Sequence, residues 1–570
     1  MLERLPEQAV DGFNWTWDDY KPYFDDLLNR SLTKDNVEAW LADWTRLIEF
    51  AYEVHTRLYI ATTVNTEDED SKNLYFSFLE NVSEDMDTAM DKLSRKVLES
   101  GLQPENFEIP LREMRASVEL FREENLPLQT ELSKLGNQYQ EISGAQTVEW
   151  DGEEQTLTQM KVMLLDSDRE EREQVWRAVY NRQMEDRAQL NDLWKEMLQI
   201  RMKVAENAGK ASFRDYQWMA FGRHDYTPED DQRFLQSISE VVVPAMLRRM
   251  EKRKAALGIE TLRPWDMDID PTGTEPLKPF DDVSTLIDTT ASIFAKLDPD
   301  LSSYYNVMKD NDLLDLDNRK GKAPGGYCTT LPQAKQSFIF MNSVGVHDNV
   351  QTLLHEAGHA FHNFEAQKLP YAQQRGYPTE FAEVASMSME LLAAPYFEVA
   401  NGGFYEDEVS AARARIEHLD GIISFFPYMA VVDAFQHWVY ENPQDAMNPD
   451  NCDAQWESLW DQFMPGVDWT GIEAIKRTGW HRKLHIFLIP FYYIEYGLAQ
   501  LGAMQVWRNS LIDPAKALEQ YRYGLSLGNT RKLPELFEAA GAKLEFDAVL
   551  LGDLIALVEQ TLDEYESKLV

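Results

Sequence analysis

Val350-Gln-Thr-Leu-Leu-His355-Glu356-Ala-Gly-His359-Ala-Phe-His362 is the stretch whose reading decides the fold. Val350, Leu353, Leu354, Ala357, Phe361 and Phe364 recur at helical spacing and form one apolar stripe, so the segment reads as an amphipathic helix facing a core. Asp348 stands where it can cap a helix beginning just after it. His355 and His359 are four residues apart, one turn above each other, which puts their Cβ atoms about 5–6 Å apart. Their imidazoles can converge on one ion at metal–nitrogen distances of about 2.0–2.1 Å. Glu356 then points beside the ion, at the place of a general base acting on a metal-bound water.

A third ligand has to come from elsewhere. A His six residues after His359 and a Gly at 362 would give a metzincin-like site, but those positions are Glu365 and His362. The better source is Thr379-Glu380-Phe381-Ala-Glu383-Val384-Ala-Ser386, with Pro378 and Thr379 as a helix start. Glu380, Glu383 and Glu390 share one helical face, while Val384, Met387, Leu391 and Leu392 mark that helix as largely buried. Buried carboxylates must be paired or bind metal. Glu383 is therefore expected as the third ligand. Glu390 is expected either behind a ligand His or in an ordinary buried ion pair. Three protein ligands leave a fourth position for water, the pattern of a catalytic rather than a structural single zinc ion.

The rest of the chain is read around that site. Most of it has helical periodicity, for example over 27–58 and 160–205, so the fold class is mainly α. Strand signals fall at 147–150, followed by the turn-like Asp151-Gly152, and at 336–342. The second strand is either a candidate for pairing with an extended peptide by edge addition or an ordinary internal strand. Loops rich in Pro and Gly begin beyond residue 200, which places a boundary between an N-terminal helical lobe, 1–199, and a catalytic domain, 200–570. Arg319, Lys320 and Lys322 form a basic island that could meet a peptide carboxylate or be a plain exposed loop.

Hydrophobic residues make up 44% and charged residues 27% of the 570, ordinary globular usage. A net charge of -43 repels nucleic acid phosphates and anionic lipids, so neither nucleic acid nor a membrane is an expected partner. Two cysteines, Cys328 and Cys452, make no disulfide framework, and the opening residues show no apolar leader, so a cytoplasmic location is expected.

These pieces resemble the thimet oligopeptidase and oligoendopeptidase F family of zinc peptidases, closest to the oligoendopeptidase F branch. The resemblance rests on His355-Glu-Ala-Gly-His359 and on Phe381-Ala-Glu383-Val-Ala-Ser386 with Glu390. It also rests on Asn318-Arg-Lys-Gly-Lys-Ala-Pro-Gly-Gly-Tyr327-Cys followed by Gln336-Ser-Phe-Ile-Phe-Met-Asn342, and on His485-Ile-Phe-Leu-Ile-Pro-Phe-Tyr492-Tyr493-Ile-Glu-Tyr496. It implies a two-lobed body of zincin type with a small β-sheet and a deep channel admitting short peptides. It implies zinc on His355, His359 and Glu383, Glu356 as general base, and His485, Tyr493 and Tyr496 lining the site opposite the metal. Tyr493 is favoured over Tyr492 because it keeps the family's spacing to Tyr496. The expected activity is endoproteolysis of oligopeptides. The rival readings are a peptidyl-dipeptidase resembling angiotensin-converting enzyme and a non-catalytic zinc or peptide-binding protein. The oligomeric state is left open.

Overall fold

The computed structural model describes residues 2–569 other than 273, 274, 320 and 324. Helices dominate, as expected. Those that build or support the site are α1 (Val37–Val64), α2 (Arg187–Asn207), α3 (His347–Ala366), α4 (Thr379–Ala393), α5 (Glu408–Glu441) and α6 (Tyr493–Ile512). The strands are β1 (Thr147–Trp150), β2 (Glu153–Thr156), β3 (Leu314–Asp317), β4 (Tyr327–Leu331) and β5 (Gln336–Ser343). No described helix is long and apolar enough to cross a membrane.

Two long helical readings are shorter in the structure. The 27–58 periodicity spans the end of a helix at Trp17–Asn29 and most of α1, and 160–205 is divided among Leu157–Met163, Arg169–Glu185 and α2. In the second case Asp168 starts a new helix by accepting from the Glu170 and Glu171 amides, a local cap that overrides the continuous apolar period. The 147–150 strand forms a hairpin with β2, turned through Asp151 and Gly152, both at positive φ.

Two sheets are present among the described residues. The larger has the order β3-β5-β4, with β5 parallel to β3 and antiparallel to β4. Of the two readings of the 336–342 strand, the internal one is observed. It is the central strand, buried along most of its length, and β4 is the outer strand on that side. The basic island is structural as well. Lys322 reaches the carbonyls of Asp315, Asp317 and Met341 at 2.5–2.9 Å, and Arg319 pairs with Asp315. Lys320 lies outside the described residues.

Buried apolar side chains gather in one cluster from Leu2 to Met114, a main cluster from Leu120 to Leu562, and a small one around Trp176 and Trp265. Residues 120–199, which the sequence reading places in the front lobe, contribute Trp194 and its neighbours to the same core as α3.

On α3 the predicted stripe is buried: Val350, Leu353, Leu354, Ala357 and Phe361 are all fully enclosed. The helix begins at His347, earlier than a cap at Asp348 would allow. The capping side chain is Asn349, whose Oδ1 accepts from the amides of Val344 and Val346. α4 packs across α3 at Gly358. A Cβ added there would lie 2.6 Å from Ser386 Cα and 2.7 Å from the Ala385 carbonyl oxygen. α6 closes on the other side of α4, where a Cβ on Gly502 would lie 2.8 Å from Val384 Cγ2. Gly358 is small because two backbones nearly touch there, and Gly502 because the Val384 and Phe537 side chains fill the space a Cβ would need.

Gly358→Ala is expected to destabilise the fold by about 1–3 kcal/mol through overpacking. Gly421→Ala, at an exposed position of the largely buried α5 with no neighbour within 4 Å, is expected to stabilise it by about 0.5–1 kcal/mol through helix propensity. Urea unfolding midpoints of the two variants check the pair. Equal effects would show that the α3–α4 approach has slack.

Candidate active site and metal centre

The crossing at Gly358 brings α3 and α4 into register so that His355, His359 and Glu383 face one another. His355 Nε2 lies 3.3 Å and His359 Nε2 3.6 Å from Glu383 Oε2. The imidazoles are nearly perpendicular, with centroids 4.9 Å apart. These separations can be tested against an ion. In a tetrahedral site with bonds of about 2.0–2.1 Å, ligand atoms stand about 3.3–3.4 Å apart. The observed spacings fit, and two imidazoles with one carboxylate suit zinc chemistry.

Each of the three acids on α4 has its own set of partners, with His355 shared between Glu383 and Glu390. Glu380 accepts from Tyr226 at 2.7 Å and faces the buried Arg223. Glu383 sits between the two imidazoles, with Ser386 Oγ donating to it at 3.0 Å and Tyr492 hydroxyl at 3.2 Å. Glu390 accepts from His355 Nδ1 at 2.7 Å and also holds His418 at 2.8 Å. Burial alone would raise Glu383 and Glu390, but the facing imidazoles hold both down to about 2, so they stay ionised. Of the two readings left open for Glu390, the position behind His355 is the one observed. It fixes the Nδ1 proton and leaves the Nε2 lone pair aimed at Glu383.

Glu356 follows His355 on α3 and is 8% exposed. Burial pushes its carboxyl up to about 7, opposed by His355, and the Cys328 backbone N–H on β4 bonds to it. The metal helix and the outer strand therefore position this side chain together.

Across from the ligands stands the segment carrying His485 and the tyrosines. The His485 ring touches Tyr492, Tyr493 and Tyr496 at centroid distances of 5.8, 5.1 and 6.0 Å, and its Nδ1 has no protein partner among the described residues. Burial, and then Lys483, lowers its pKa to about 4, so it is neutral. The structure places Tyr492, not Tyr493, against the ligand cluster. The Tyr493 hydroxyl accepts from Lys483 Nζ at 2.6 Å instead. Tyr496 lies where the charges of Glu383 and Glu356 are felt.

Tyr492 and Tyr496 stand one turn apart on one face at the start of α6, with ring centroids 5.2 Å apart, and Tyr493 is turned from that face toward Lys483. Phe491 has φ of 68°, in the left-handed region. Its amide donates to Gln436 Oε1 and its carbonyl accepts from Arg223, while Arg201 on α2 reaches the Ile486 and Phe487 carbonyls. Arg201, Arg223 and Gln436 carry no signal in the sequence, while His418, expected as a surface or satisfied core histidine rather than a ligand, pairs with Glu390. Their partners lie tens to hundreds of residues away, and no local period marks them. Tyr327 bonds Thr63 on α1 through its hydroxyl and stacks on Phe340, so it serves the join between α1 and the sheet.

A second trio, Asp231, Asp433 and His437, also has its ligand atoms within 4.8 Å of one another. Its chemistry differs. His437 Nδ1 lies 3.2 Å from Arg214, which can only donate, so the ring proton sits on Nε2 and points at Asp231, 2.8 Å away. A protonated nitrogen is no ligand, and this cluster reads as a buried hydrogen-bond network.

The arrangement defines a class: a helical protein built on an H-E-x-x-H helix crossed by a second helix that presents a carboxylate. The model of Peptidase family M3 matches residues 162–553, and the chain belongs to that family. It is 23% identical to oligopeptidase PepF of Bacillus subtilis over 274 residues, 47% of this chain and 39% of that protein. It is 25% identical to the chromosomal oligoendopeptidase F of Lactococcus lactis subsp. cremoris over 414 residues, 70% of this chain and 64% of the relative. The matches thus span less than two thirds of these curated relatives. Among solved structures, PZ peptidase A with inhibitor 2 superposes with a TM-score of 0.89 at 25% identity, covering 99% of both chains. Oligoendopeptidase-F from Enterococcus faecium, at 16% identity and a TM-score of 0.63 over 98% of this chain and 99% of that one, shares the fold.

Glu390→Ala is expected to weaken retention of a divalent metal by about 10–100-fold. Metal content after equilibration with graded chelator measures it. Undiminished retention would remove Glu390 from the support of His355.

Proposed function

We propose that this chain is a zinc-dependent endopeptidase of short oligopeptides, with His355, His359 and Glu383 holding one zinc ion. The observation that carries the reading is the set of 3.3 and 3.6 Å separations around Glu383, with Glu356 buried beside it. Family membership and relatives bearing the names oligopeptidase and oligoendopeptidase F support peptide substrates. Zinc, when bound, supplies a Lewis acid and a water of lowered pKa.

The rest is done by the chain's own side chains. Glu356 takes a proton and returns it to the leaving amine, a task suited to a carboxyl raised toward neutrality. Tyr496 and His485 stand opposite and offer hydrogen-bond donors to a developing oxyanion. Tyr492 steadies Glu383. Tyr493, favoured by spacing, has its hydroxyl engaged by Lys483 and is assigned no direct part. The outer strand β4, whose Cys328 amide meets Glu356, is the edge along which an extended peptide would lie.

We further read the chain as two lobes flanking a channel, and the core that residues 120–199 share with α3 favours a division nearer residue 120 than the 199/200 expected from the sequence. Two free thiols, Cys328 and Cys452, favour a reducing, cytoplasmic setting. Product analysis on an internally cleavable peptide separates this reading from a peptidyl-dipeptidase, which would release C-terminal dipeptides.

Glu356→Gln is expected to keep its zinc and lose about 10²–10⁴-fold in kcat. Unchanged turnover would refute the assigned base, and loss of zinc would point to a ligand role instead. Tyr496→Phe is expected to lower kcat by about 10²–10³-fold with little change in KM, measured on the same quenched peptide.

A further inference from the structure

Beyond the His485 wall lies a group of cations that the mechanism above does not use. Lys483 Nζ sits 2.6 Å from the Tyr493 hydroxyl, 3.9 Å from the centre of that ring and 5.2 Å from the centre of Tyr428. Arg482, next in the chain, lies over Tyr180 at 5.1 Å and donates to the Ile475 carbonyl at 2.7 Å. Lys161 faces Lys483 from the helix at Leu157–Met163, close enough for its charge to be felt.

None of the three has a carboxylate within ion-pair distance among the described residues, although Asp268 is near enough to feel the charge of Lys161. That is unexpected here. The chain carries 98 acidic against 55 basic residues. Several other buried or half-buried cations are matched, Arg223 by Glu495, Lys322 by Asp315 and Arg522 by Glu365, whereas Arg201 is held by two carbonyls and a tyrosine hydroxyl. Burial, and then Lys161, pulls Lys483 down to about 8, so the protein itself destabilises this charge and supplies one tyrosine hydroxyl and two aromatic faces in return. A half-buried charge without a counter-charge is costly, and the missing anion is one that a ligand can bring.

The location says which ligand. Tyr493, on which Lys483 rests, touches His485 at 5.1 Å and Tyr496 at 5.5 Å. One aromatic ring therefore separates the cations from the wall of the candidate site. An extended peptide advances about 3.3–3.5 Å per residue, so a carboxylate a few residues from the cleaved bond falls within their reach. Resting on the peptidase reading, we propose that Lys483, backed by Arg482 and Lys161, forms a subsite for a carboxylate of the bound peptide, either the free C-terminus or an acidic side chain near it.

Three quenched peptides of one sequence test this on the zinc-loaded, full-length protein: a free C-terminal acid, the C-terminal amide, and the amide with Glu as its last residue. The free acid is expected to be cleaved with kcat/KM about tenfold above the amide, mainly through KM, as a charge-assisted contact made before reaction would give. Recovery of that advantage by the Glu-ending amide would assign the subsite to side chains as well. Its failure to recover would assign it to the C-terminus.

Lys483→Met is expected to bring the free acid to within about twofold of the amide, and Lys483→Arg to keep most of the preference, since both side chains carry the charge. Should the Met variant fold poorly, the exposed Lys161→Met provides a milder version, with the preference reduced severalfold. Equal cleavage of all three peptides by the unmodified protein, or a preference that survives Lys483→Met, would overturn the inference while leaving the peptidase reading intact. Cleavage of none of them would sink both.

Discussion

The closest approach in the site is between two backbones. α3 and α4 cross where Gly358 meets Ser386 and the Ala385 carbonyl, with no room for even a methyl group. Interhelical distances of 8–10 Å are usual when side chains separate two helices. A Gly–Ser contact brings them nearer, and only so can the short reach of a glutamate on one helix meet two imidazoles on the other at 3.3 and 3.6 Å. The Ala-Gly inside His355-Glu-Ala-Gly-His359 is thus part of the ligand geometry, although neither residue has a ligand atom.

That crossing creates an electrostatic problem that α4 solves by dividing its charges. Three carboxylates at 380, 383 and 390 are buried on one helix. Left together they would repel, and desolvation would neutralise them. Each is instead handed to separate partners: Arg223 and Tyr226, the imidazole pair with Ser386 and Tyr492, and His355 with His418. His355 belongs to two of these groups and couples them. Breaking one side of such a network leaves a buried charge uncompensated, which typically costs about 3–5 kcal/mol.

What could be read from the sequence follows the range of the interactions. The α3 stripe, the four-residue spacing of the imidazoles, the buried face of α4 and the β1–β2 turn are local patterns, and they appear where the sequence puts them. Interactions between distant residues were not legible. Asn349 rather than Asp348 caps α3 because its acceptor reaches back to Val344 and Val346. β5 is central because residues 314–317, far upstream, pair with it in parallel. Tyr492 rather than Tyr493 meets Glu383 because it shares a helical face with Tyr496 one turn on, while the Tyr493 hydroxyl is taken by Lys483, a partner that no local period marks.

The two His–carboxylate clusters make the same point about chemistry. Both satisfy the distance expected of metal ligands. What separates them is the group behind the imidazole. A carboxylate behind His355 draws the proton to Nδ1 and frees Nε2 to bind a cation. A guanidinium behind His437 forces Nδ1 to accept and leaves the proton on Nε2, facing the acids. The sign of one charge, one residue beyond the donor set, decides whether a buried histidine is a ligand or a hydrogen-bond donor. Glu390 supplies that sign in the first cluster, which is why it is as much a part of the candidate metal centre as the three residues that would touch the ion.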